Sequence, residues 1–170
     1  MDAYKRKLVE VTEYLKANAL LLSTAESCTA GQMISLLASV PGAGQLLESG
    51  YVVYSPEAKR RILHVSAETI EQYGLTSEQV ALEMARGALK GGPATVAIGT
   101  TGVAGPDTID GIEPGTVCIA WLFSISNDSA SFTHTHHFKG DRLDVQIAAS
   151  LYALEQIQQL HSKALNGGGR

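Results

Sequence analysis

The sequence contains little cysteine, few aromatic residues and little net charge. Its two cysteines, Cys28 and Cys118, form no metal-ligand spacing. The net charge of −4 gives no basic surface of the kind that favours general nucleic-acid binding. No apolar run reaches the ~18 residues that a membrane-spanning helix needs. We therefore expect a protein with neither a nucleic-acid partner nor a membrane partner.

The N-terminal segment also lacks the apolar stretch of a secretory signal peptide, since residues 1–7 read Met-Asp-Ala-Tyr-Lys-Arg-Lys. This absence favours a cytoplasmic protein whose thiols stay free. What the sequence does have is a hydrophobic content of 45% over 170 residues, which is enough for one sizeable core. We expect a single domain over residues 1–165, followed by a flexible tail over residues 166–170.

Hydrophobic spacing predicts an alternation of helices and strands. Apolar residues at helical intervals predict a helix over residues 2–18 and a long C-terminal helix. Thr76 and Gln79 have the spacing of a capping box, which predicts a further helix through Lys90. The segments that read as strands are 20–22, 50–54, 94–99, 116–124 and 131–138, and the last two could form a hairpin. This pattern predicts an α/β protein, a three-layer α/β/α sandwich with a mixed, mostly parallel sheet.

One segment brings together side chains that can do chemistry. Ala25-Glu26-Ser27-Cys28-Thr29-Ala30-Gly31 joins a predicted strand to a predicted helix. The first N–H groups of a helix have no partners within it, so they could hold the oxyanion that a nucleophile there creates. Ser27 is the candidate nucleophile, although a serine at such a junction is also a common helix cap. Cys28 is a rival nucleophile, because a helix N-terminus lowers the pKa of a thiol. The alternative is that Cys28 is simply a small buried thiol.

Three predicted strands are followed by polar side chains that could complete a site. Ser27, Tyr54 and Thr101 each come just after such a strand. In open α/β sheets, ligands bind beyond the carboxyl ends of the strands. Tyr54 and Lys59 lie five positions apart across a strand-to-helix turn, and either group could take a proton from a serine hydroxyl. The sequence leaves open which of the two is the base.

The glycine-rich segment 100–115 is typical of a ligand-binding loop. It lacks the Gly-Lys-Ser/Thr of a phosphate-binding P-loop and the G-x-G-x-x-G of a dinucleotide fold. Arg142 could bind a phosphate or a carboxylate, or it could form a surface ion pair. On a strand, His134 and His136 share a face while His137 points the other way. Too few ligands would converge there, so we expect no metal site.

Six segments, in order along the chain, resemble the CinA C-terminal domain family, the nicotinamide-nucleotide amidases. They are Ala25-Glu26-Ser27-Cys28-Thr29, Val40-Pro41-Gly42, Tyr54-Ser55 with Glu57-Ala58-Lys59, Thr101-Gly102 with Ala104-Gly105-Pro106, Gly115-Thr116-Val117 and Gly140-Asp141-Arg142. The resemblance implies a three-layer α/β/α fold and a homo-oligomer, with a dimer favoured. It also implies hydrolysis of nicotinamide mononucleotide to nicotinic acid mononucleotide and ammonia in pyridine nucleotide salvage, without a metal or other cofactor.

The resemblance implies catalytic roles for four residues. Ser27 would attack the carboxamide carbon, and Tyr54 and Lys59 would activate Ser27 and move protons to the departing ammonia. N–H groups of the turn over residues 27–31, helped by Thr101, would hold the oxyanion. The acyl-enzyme ester that results would then be hydrolysed.

The resemblance also implies a set of substrate-binding residues. They are Cys28, Thr29, Gly31, Gly102, Gly105 and Arg142. The glycines at 102 and 105 would let the loop close over the ribose-phosphate, and the arginine would bind the phosphate.

The sequence departs from the family pattern at three main places. Pro56 stands where the family often has Asn, and Gln146 stands where a second basic residue is common. The loop over residues 107–113 is less glycine-rich than usual, and its acidic residues would disfavour a phosphate nearby. Two alternatives to the amidase therefore stay open. One is a catalytically inactive relative that binds a nucleotide or a protein, and the other is a serine amidase that acts on another small amide.

Overall fold

The computed structural model describes residues 3–169, and this part of the chain forms six α-helices and five strands. The helices are α1 (Ala3–Ala17), α2 (Gln32–Ala38), α3 (Pro56–Leu63), α4 (Ala67–Tyr73), α5 (Glu78–Lys90) and α6 (Arg142–Leu165). The strands are β1 (Leu22–Glu26), β2 (Leu47–Val52), β3 (Val96–Gly102), β4 (Thr116–Ile125) and β5 (Asp128–His137). A short 3₁₀ helix, Ala43–Leu46, leads into β2.

The five strands form one mixed sheet in the order β2-β1-β3-β4-β5. β1 pairs in parallel with β2 on one side and with β3 on the other. β4 pairs antiparallel with β3 and with β5, so the predicted closing hairpin is present. The parallel part of the sheet brings the carboxyl ends of β1, β2 and β3 to one edge, which is the edge where open α/β sheets bind ligands.

Helices cover both faces of the sheet, which confirms the three-layer α/β/α sandwich. On one face α1, α2 and α6 bury apolar side chains such as Leu15, Met33 and Leu154 against the sheet. On the other face α3 and α5 do the same with Leu63 and Met84. Each of these five helices therefore presents an apolar stripe to the core, as an amphipathic pattern requires.

The interior strand β1 is fully buried although most of its side chains are polar. Ser23, Thr24 and Glu26 have no exposed surface. The Ser23 hydroxyl lies 2.8 Å from the hydroxyl of Ser49 on β2, and the Thr24 hydroxyl donates to the Glu26 carboxylate at 3.1 Å. These hydrogen bonds offset the cost of burying polar groups. The apolar run at 20–22 marks only the beginning of this strand, because the polar residues that continue it do not look like a core strand.

Strand β3 runs to Gly102, so the prediction that residues 100–102 belong to a loop is wrong. Two glycines suggested the loop, but both serve close packing. A Cβ added at Gly99 would lie 2.1 Å from the Ala81 carbonyl of α5, and one added at Gly102 would lie 2.4 Å from the Thr116 carbonyl of β4. Glycine in a strand interior often marks such a close approach of another backbone.

Two further boundaries differ from the predictions. β2 covers Leu47–Val52, so it lies earlier than the predicted strand over residues 50–54. The cap of α5 is Ser77, whose hydroxyl accepts from the Val80 amide at 3.2 Å, and not Thr76. Adjacent hydroxyl residues both fit an N-cap pattern, and the backbone conformation selects one of them.

The described part of the C-terminal tail contacts the edge of the sheet. The Gly169 carbonyl accepts a hydrogen bond from the Ser131 amide of β5 at 2.8 Å. The flexibility of residues 166–170 stays a prediction, and Arg170 lies outside the described residues. Residue 2, where the first helix was predicted to begin, also lies outside them. Within the described range 3–169, no helix has the length and apolar character needed to cross a membrane.

A buried histidine joins the first and last helices. The Tyr14 hydroxyl lies 3.0 Å from Nδ1 of His161, and the Phe123 ring packs against the imidazole with centroids 5.5 Å apart. Burial lowers the pKa of His161, because an imidazolium would lose solvation there. The unfolded chain therefore takes up a proton at a higher pH than the folded chain does.

We expect the stability of the fold to decrease as the pH falls through about 6.5, the ordinary histidine value. Thermal unfolding at pH 7.5 and pH 5.5 should show a smaller loss of stability in His161→Gln than in the wild type. The exposed His137 provides a matched control, and His137→Gln should behave like the wild type. An equal loss in all three proteins would contradict this prediction.

Candidate active site

A cavity opens at the carboxyl ends of the three parallel strands. Ser27, Tyr54, Lys59, Thr101 and Arg142 all line it. These residues come from four separate regions of the chain. Ser27 follows β1 directly, Tyr54 lies just after β2, and Lys59 lies in α3. The predicted convergence of polar side chains at this edge of the sheet is confirmed.

The closest functional contact in the cavity joins Ser27 to Lys59. The lysine Nζ lies 2.9 Å from the serine Oγ. It also lies 3.0 Å from the carbonyl oxygens of Val53 and Tyr54, in the segment between β2 and α3. Lys59 is only 2% exposed. It belongs to the first turn of α3, which begins at Pro56, so the helix start aims the amine back towards the end of β1.

Burial lowers the pKa of Lys59, because the charged ammonium would lose its water. Among the described residues, no carboxylate forms an ion pair with this amine. The neutral amine has two N–H groups and one lone pair. Its N–H groups match the two backbone carbonyls, and its lone pair can accept the Ser27 hydroxyl proton. The arrangement therefore suits a general base next to a hydroxyl nucleophile.

The side chain of Tyr54 lies away from Ser27. It is 53% exposed, and its hydroxyl accepts a hydrogen bond from the Arg142 guanidinium. Tyr54 contributes its backbone carbonyl to Lys59 instead. Of the two bases that the sequence left open, the structure therefore brings Lys59 and not the phenol of Tyr54 to the serine.

Cys28 is a free, buried thiol. Burial raises its pKa to about 12, so the thiol stays protonated at neutral pH. The expectation that a helix N-terminus would lower this pKa is wrong, because α2 begins only at Gln32 and burial dominates. This protonation disfavours Cys28 as the nucleophile.

The carboxylate of Glu26, which sequence reasoning missed, occupies the N-terminus of α2. It accepts hydrogen bonds from the amides of Gly31 at 3.0 Å, Met33 at 3.2 Å and Ile34 at 3.3 Å. The Gly31 amide is therefore already engaged, so it does not serve as one of the oxyanion donors expected in the turn over residues 27–31, and substrate binding by Gly31 stays a prediction. The signal was present in the sequence, because an acidic residue shortly before a helix often binds its free amides.

Two hydroxyls near the serine are also already engaged. The Thr29 hydroxyl lies 2.8 Å from that of Thr100, and Thr29 is buried outside the cavity lining. Thr101 does line the cavity, but its hydroxyl donates to the Leu75 carbonyl at 2.9 Å. Since a hydroxyl has one proton to donate, the structure does not support Thr101 as an oxyanion donor.

The amides of Cys28 and Thr29 donate a hydrogen bond to no other residue in the described part of the chain. The peptide that joins these two residues is held by Gln146 of α6, whose side-chain amide donates to the Cys28 carbonyl at 3.0 Å. A free amide directly after a nucleophile is a common oxyanion donor. The Cys28 amide is therefore the better-placed donor, because Cys28 also lines the cavity.

Arg142 opens α6 and extends over the cavity. Its guanidinium donates to the Gly105 carbonyl and to the Tyr54 hydroxyl. Gly105 thus helps to place the arginine, whereas Gly102 is the last residue of β3 and lines the cavity. Whether the loop between them closes over a substrate stays a prediction.

The histidines lie away from this cavity. His134 and His136 share one face of β5, as predicted, and their rings pack against Tyr152 of α6 with centroids 6.2 Å and 5.1 Å away. His137 lies on the other face, 4.0 Å from a carboxylate oxygen of Glu113. Within residues 3–169, no cluster of three or more His, Cys, Asp or Glu side chains could hold a metal ion.

Comparison with known proteins agrees with the fold and the motifs. A sequence model described as the CinA C-terminal domain matches residues 5–161. The chain belongs to the CinA C-terminal domain family. One solved CinA-family structure, the competence damage-inducible protein A (ComA) from Klebsiella pneumoniae, superimposes with a TM-score of 0.87 at 34% identity. That match covers 95% of this chain and 98% of the other.

Two curated relatives show how CinA C-terminal domains occur in proteins of different length. The nicotinamide-nucleotide amidohydrolase PncC of Escherichia coli K12 is 38% identical over 150 residues, which cover 88% of this chain and 90% of that protein. A CinA-like protein of Chloroherpeton thalassium is 40% identical over 151 residues, which again cover 88% of this chain but 36% of the relative. This chain therefore spans about a third of the second relative.

The buried contacts of Glu26 predict that this CinA-family fold depends on its carboxylate. We expect Glu26→Gln to lower the free energy of unfolding by about 1–3 kcal/mol, because one acceptor oxygen and the charge at the helix N-terminus are lost. Urea unfolding measures this change. Thr24→Val removes one hydroxyl donor from the same carboxylate but leaves its charge and its three amide donors in place, so it should cost only about 1 kcal/mol. A Glu26→Gln protein as stable as Thr24→Val would contradict the role of the carboxylate.

Proposed function

We propose that the protein is an amidohydrolase that converts nicotinamide mononucleotide to nicotinic acid mononucleotide and ammonia, in pyridine nucleotide salvage. The observation that carries the proposal is the 2.9 Å distance between Ser27 Oγ and the buried Nζ of Lys59. The name of the E. coli relative, nicotinamide-nucleotide amidohydrolase, supports the choice of substrate. The CinA family match over residues 5–161 supports the same reaction class.

The reaction begins when Ser27 Oγ attacks the carboxamide carbon and Lys59 takes the hydroxyl proton. The tetrahedral intermediate collapses, the C–N bond breaks, and Lys59 gives its proton to the departing nitrogen, which leaves as ammonia. An ester then joins the nicotinoyl group to Ser27. Lys59 takes a proton from a water molecule that attacks this ester, and Ser27 regains its proton as the acid product leaves.

The negative oxygen of the intermediate is stabilised by backbone N–H groups. The Cys28 amide is the proposed donor, since no other described residue accepts a hydrogen bond from it and it follows the nucleophile directly. Arg142 is proposed to bind the phosphate of the nucleotide, because a guanidinium pairs with phosphate through several N–H groups at once. Its present partners, a carbonyl and a hydroxyl, leave its positive charge unneutralised.

The assembly and location of the protein remain proposals that follow from the family resemblance and the sequence. We propose a homo-oligomer, with a dimer favoured, in the cytoplasm. The alternative functions are a serine amidase acting on another small amide and a catalytically inactive relative. The second of these is disfavoured by the buried amine beside Ser27, because an unpaired buried lysine has a cost that a binding role would not explain.

Replacement of the serine tests the nucleophile. We expect Ser27→Ala to reduce ammonia release from nicotinamide mononucleotide by about a thousandfold or more, because no ester can form. Cys28→Ala should keep most of the activity, since the Cys28 thiol stays protonated. Loss of activity in Cys28→Ala alone would make the thiol the nucleophile. A folded wild type that binds the nucleotide without releasing ammonia would favour the inactive relative.

The pH dependence of kcat/KM tests the base. Burial places the pKa of Lys59 below its ordinary value of 10.5, and only the neutral amine can accept a proton. We therefore expect kcat/KM to decrease as the pH falls through this lowered pKa. Lys59→Met should be folded by circular dichroism and inactive at every pH, while Lys90→Met, at an exposed lysine, should keep the wild-type profile. An unchanged profile in Lys59→Met would exclude the lysine as the base.

A further inference from the structure

The mouth of the active-site cavity contains two charged side chains of opposite sign that do not neutralise each other. Arg142 and Asp110 both line the cavity, and Asp110 is the one acidic side chain in its described lining. Within the described part of the chain, the Asp110 carboxylate takes part in no hydrogen bond to a side chain and in no ion pair. Arg142 donates only to the neutral oxygens of Gly105 and Tyr54. Both charges are therefore available to a ligand.

A tight turn holds Asp110 at this place. Asp110 and Gly111 have φ values of 51° and 76°, the two positive values that a type I′ turn requires. On either side of them, the Ile109 amide donates to the Ile112 carbonyl at 3.2 Å, and the Ile112 amide donates back to Ile109 at 2.9 Å. The reciprocal pair fixes the turn, and with it the place of Asp110 in the cavity lining.

An apolar side chain lies beside this carboxylate. Ile109 lines the same cavity and is 54% exposed, although exposing an isoleucine to water is unfavourable. It offers a surface on which a flat ring could pack. The turn therefore presents an apolar contact and a negative charge together, whereas Arg142 presents a positive charge.

We infer that Asp110 makes the cavity selective for amides that carry a positive charge on their ring, the N-substituted pyridinium carboxamides, over neutral amides. The identity of the substrate rests on the proposed function. A pyridinium mononucleotide has a fixed cation on its ring nitrogen and an anionic phosphate. Arg142 provides the charge that complements the phosphate, and Asp110 provides the charge that complements the ring. The acidic residues of the loop 107–113 would disfavour a phosphate, but Asp110 of this loop complements the positively charged ring at the opposite end of the proposed substrate.

A pair of small probes isolates the ring charge. 1-Methylnicotinamide is a cation, and nicotinamide has the same carboxamide and ring without the charge. Ligand-observed NMR titration gives the Kd of each probe for the wild type, for Asp110→Asn and for Asp107→Asn. The last variant removes an acid from the same loop that does not line the cavity, so it serves as the matched control.

We expect the wild type to bind the cation more tightly than the neutral amide. Asp110→Asn should reduce this preference by about two- to fivefold, as is typical of exposed charge pairs, and Asp107→Asn should leave it unchanged. The preference of the wild type should also decrease in 0.5 M NaCl, because salt screens exposed charges. The screening length falls to only ~3 Å at 1 M salt.

The inference is overturned if Asp110→Asn keeps the wild-type preference, if Asp107→Asn loses it equally, or if the wild type binds neither probe. Ammonia release from nicotinamide mononucleotide, measured on the same wild-type preparation, tests the proposed function separately. A preference that depends on Asp110 without ammonia release would retain the inference and reject the proposed reaction. Ammonia release without such a preference would do the reverse.

Discussion

The buried carboxylate of Glu26 holds together the two elements from which the candidate site is built. It lies at the end of β1, has no exposed surface and accepts three amides around the start of α2. A buried carboxylate without donors would be strongly unfavourable, so the end of the strand and the start of the helix have little freedom to move apart. The turn that carries Ser27 lies between them, and the rest of the cavity is arranged around that turn.

The same low-dielectric interior gives Lys59 its chemistry. The amine is buried among one hydroxyl and two backbone carbonyls, with no carboxylate of the described residues paired to it. Desolvation therefore favours the neutral amine, which is the form that can take a proton from Ser27. Glu26 and Lys59 have different roles at the serine. Glu26 holds the turn that carries Ser27 through backbone amides, and Lys59 lies within hydrogen-bond distance of the Ser27 hydroxyl.

The three departures from the family pattern each have a place in the structure. Pro56 is at the first turn of α3, where the missing N–H has no partner to lose. Gln146 donates to the Cys28 carbonyl and so supports the serine turn with a neutral side chain. The acidic loop places Asp110 at the mouth of the cavity. The departures therefore leave the contact between Ser27 and Lys59 in place, and one of them adds an acidic side chain to the cavity lining.

The sequence by itself determined the three-layer fold, the turn that presents Ser27 and the position of Lys59 in the first turn of α3. These depend on hydrophobic period and turn chemistry, which are local. The sequence could not choose between Tyr54 and Lys59, nor predict that β3 continues to Gly102. Only the tertiary structure decided both points. The Tyr54 hydroxyl binds Arg142, which lies 88 positions away in the sequence, and Gly102 packs against β4. Contacts between distant residues set the burial that lowers the pKa of Lys59, and they set the hydrogen bonds that decide which amides of the serine turn are free.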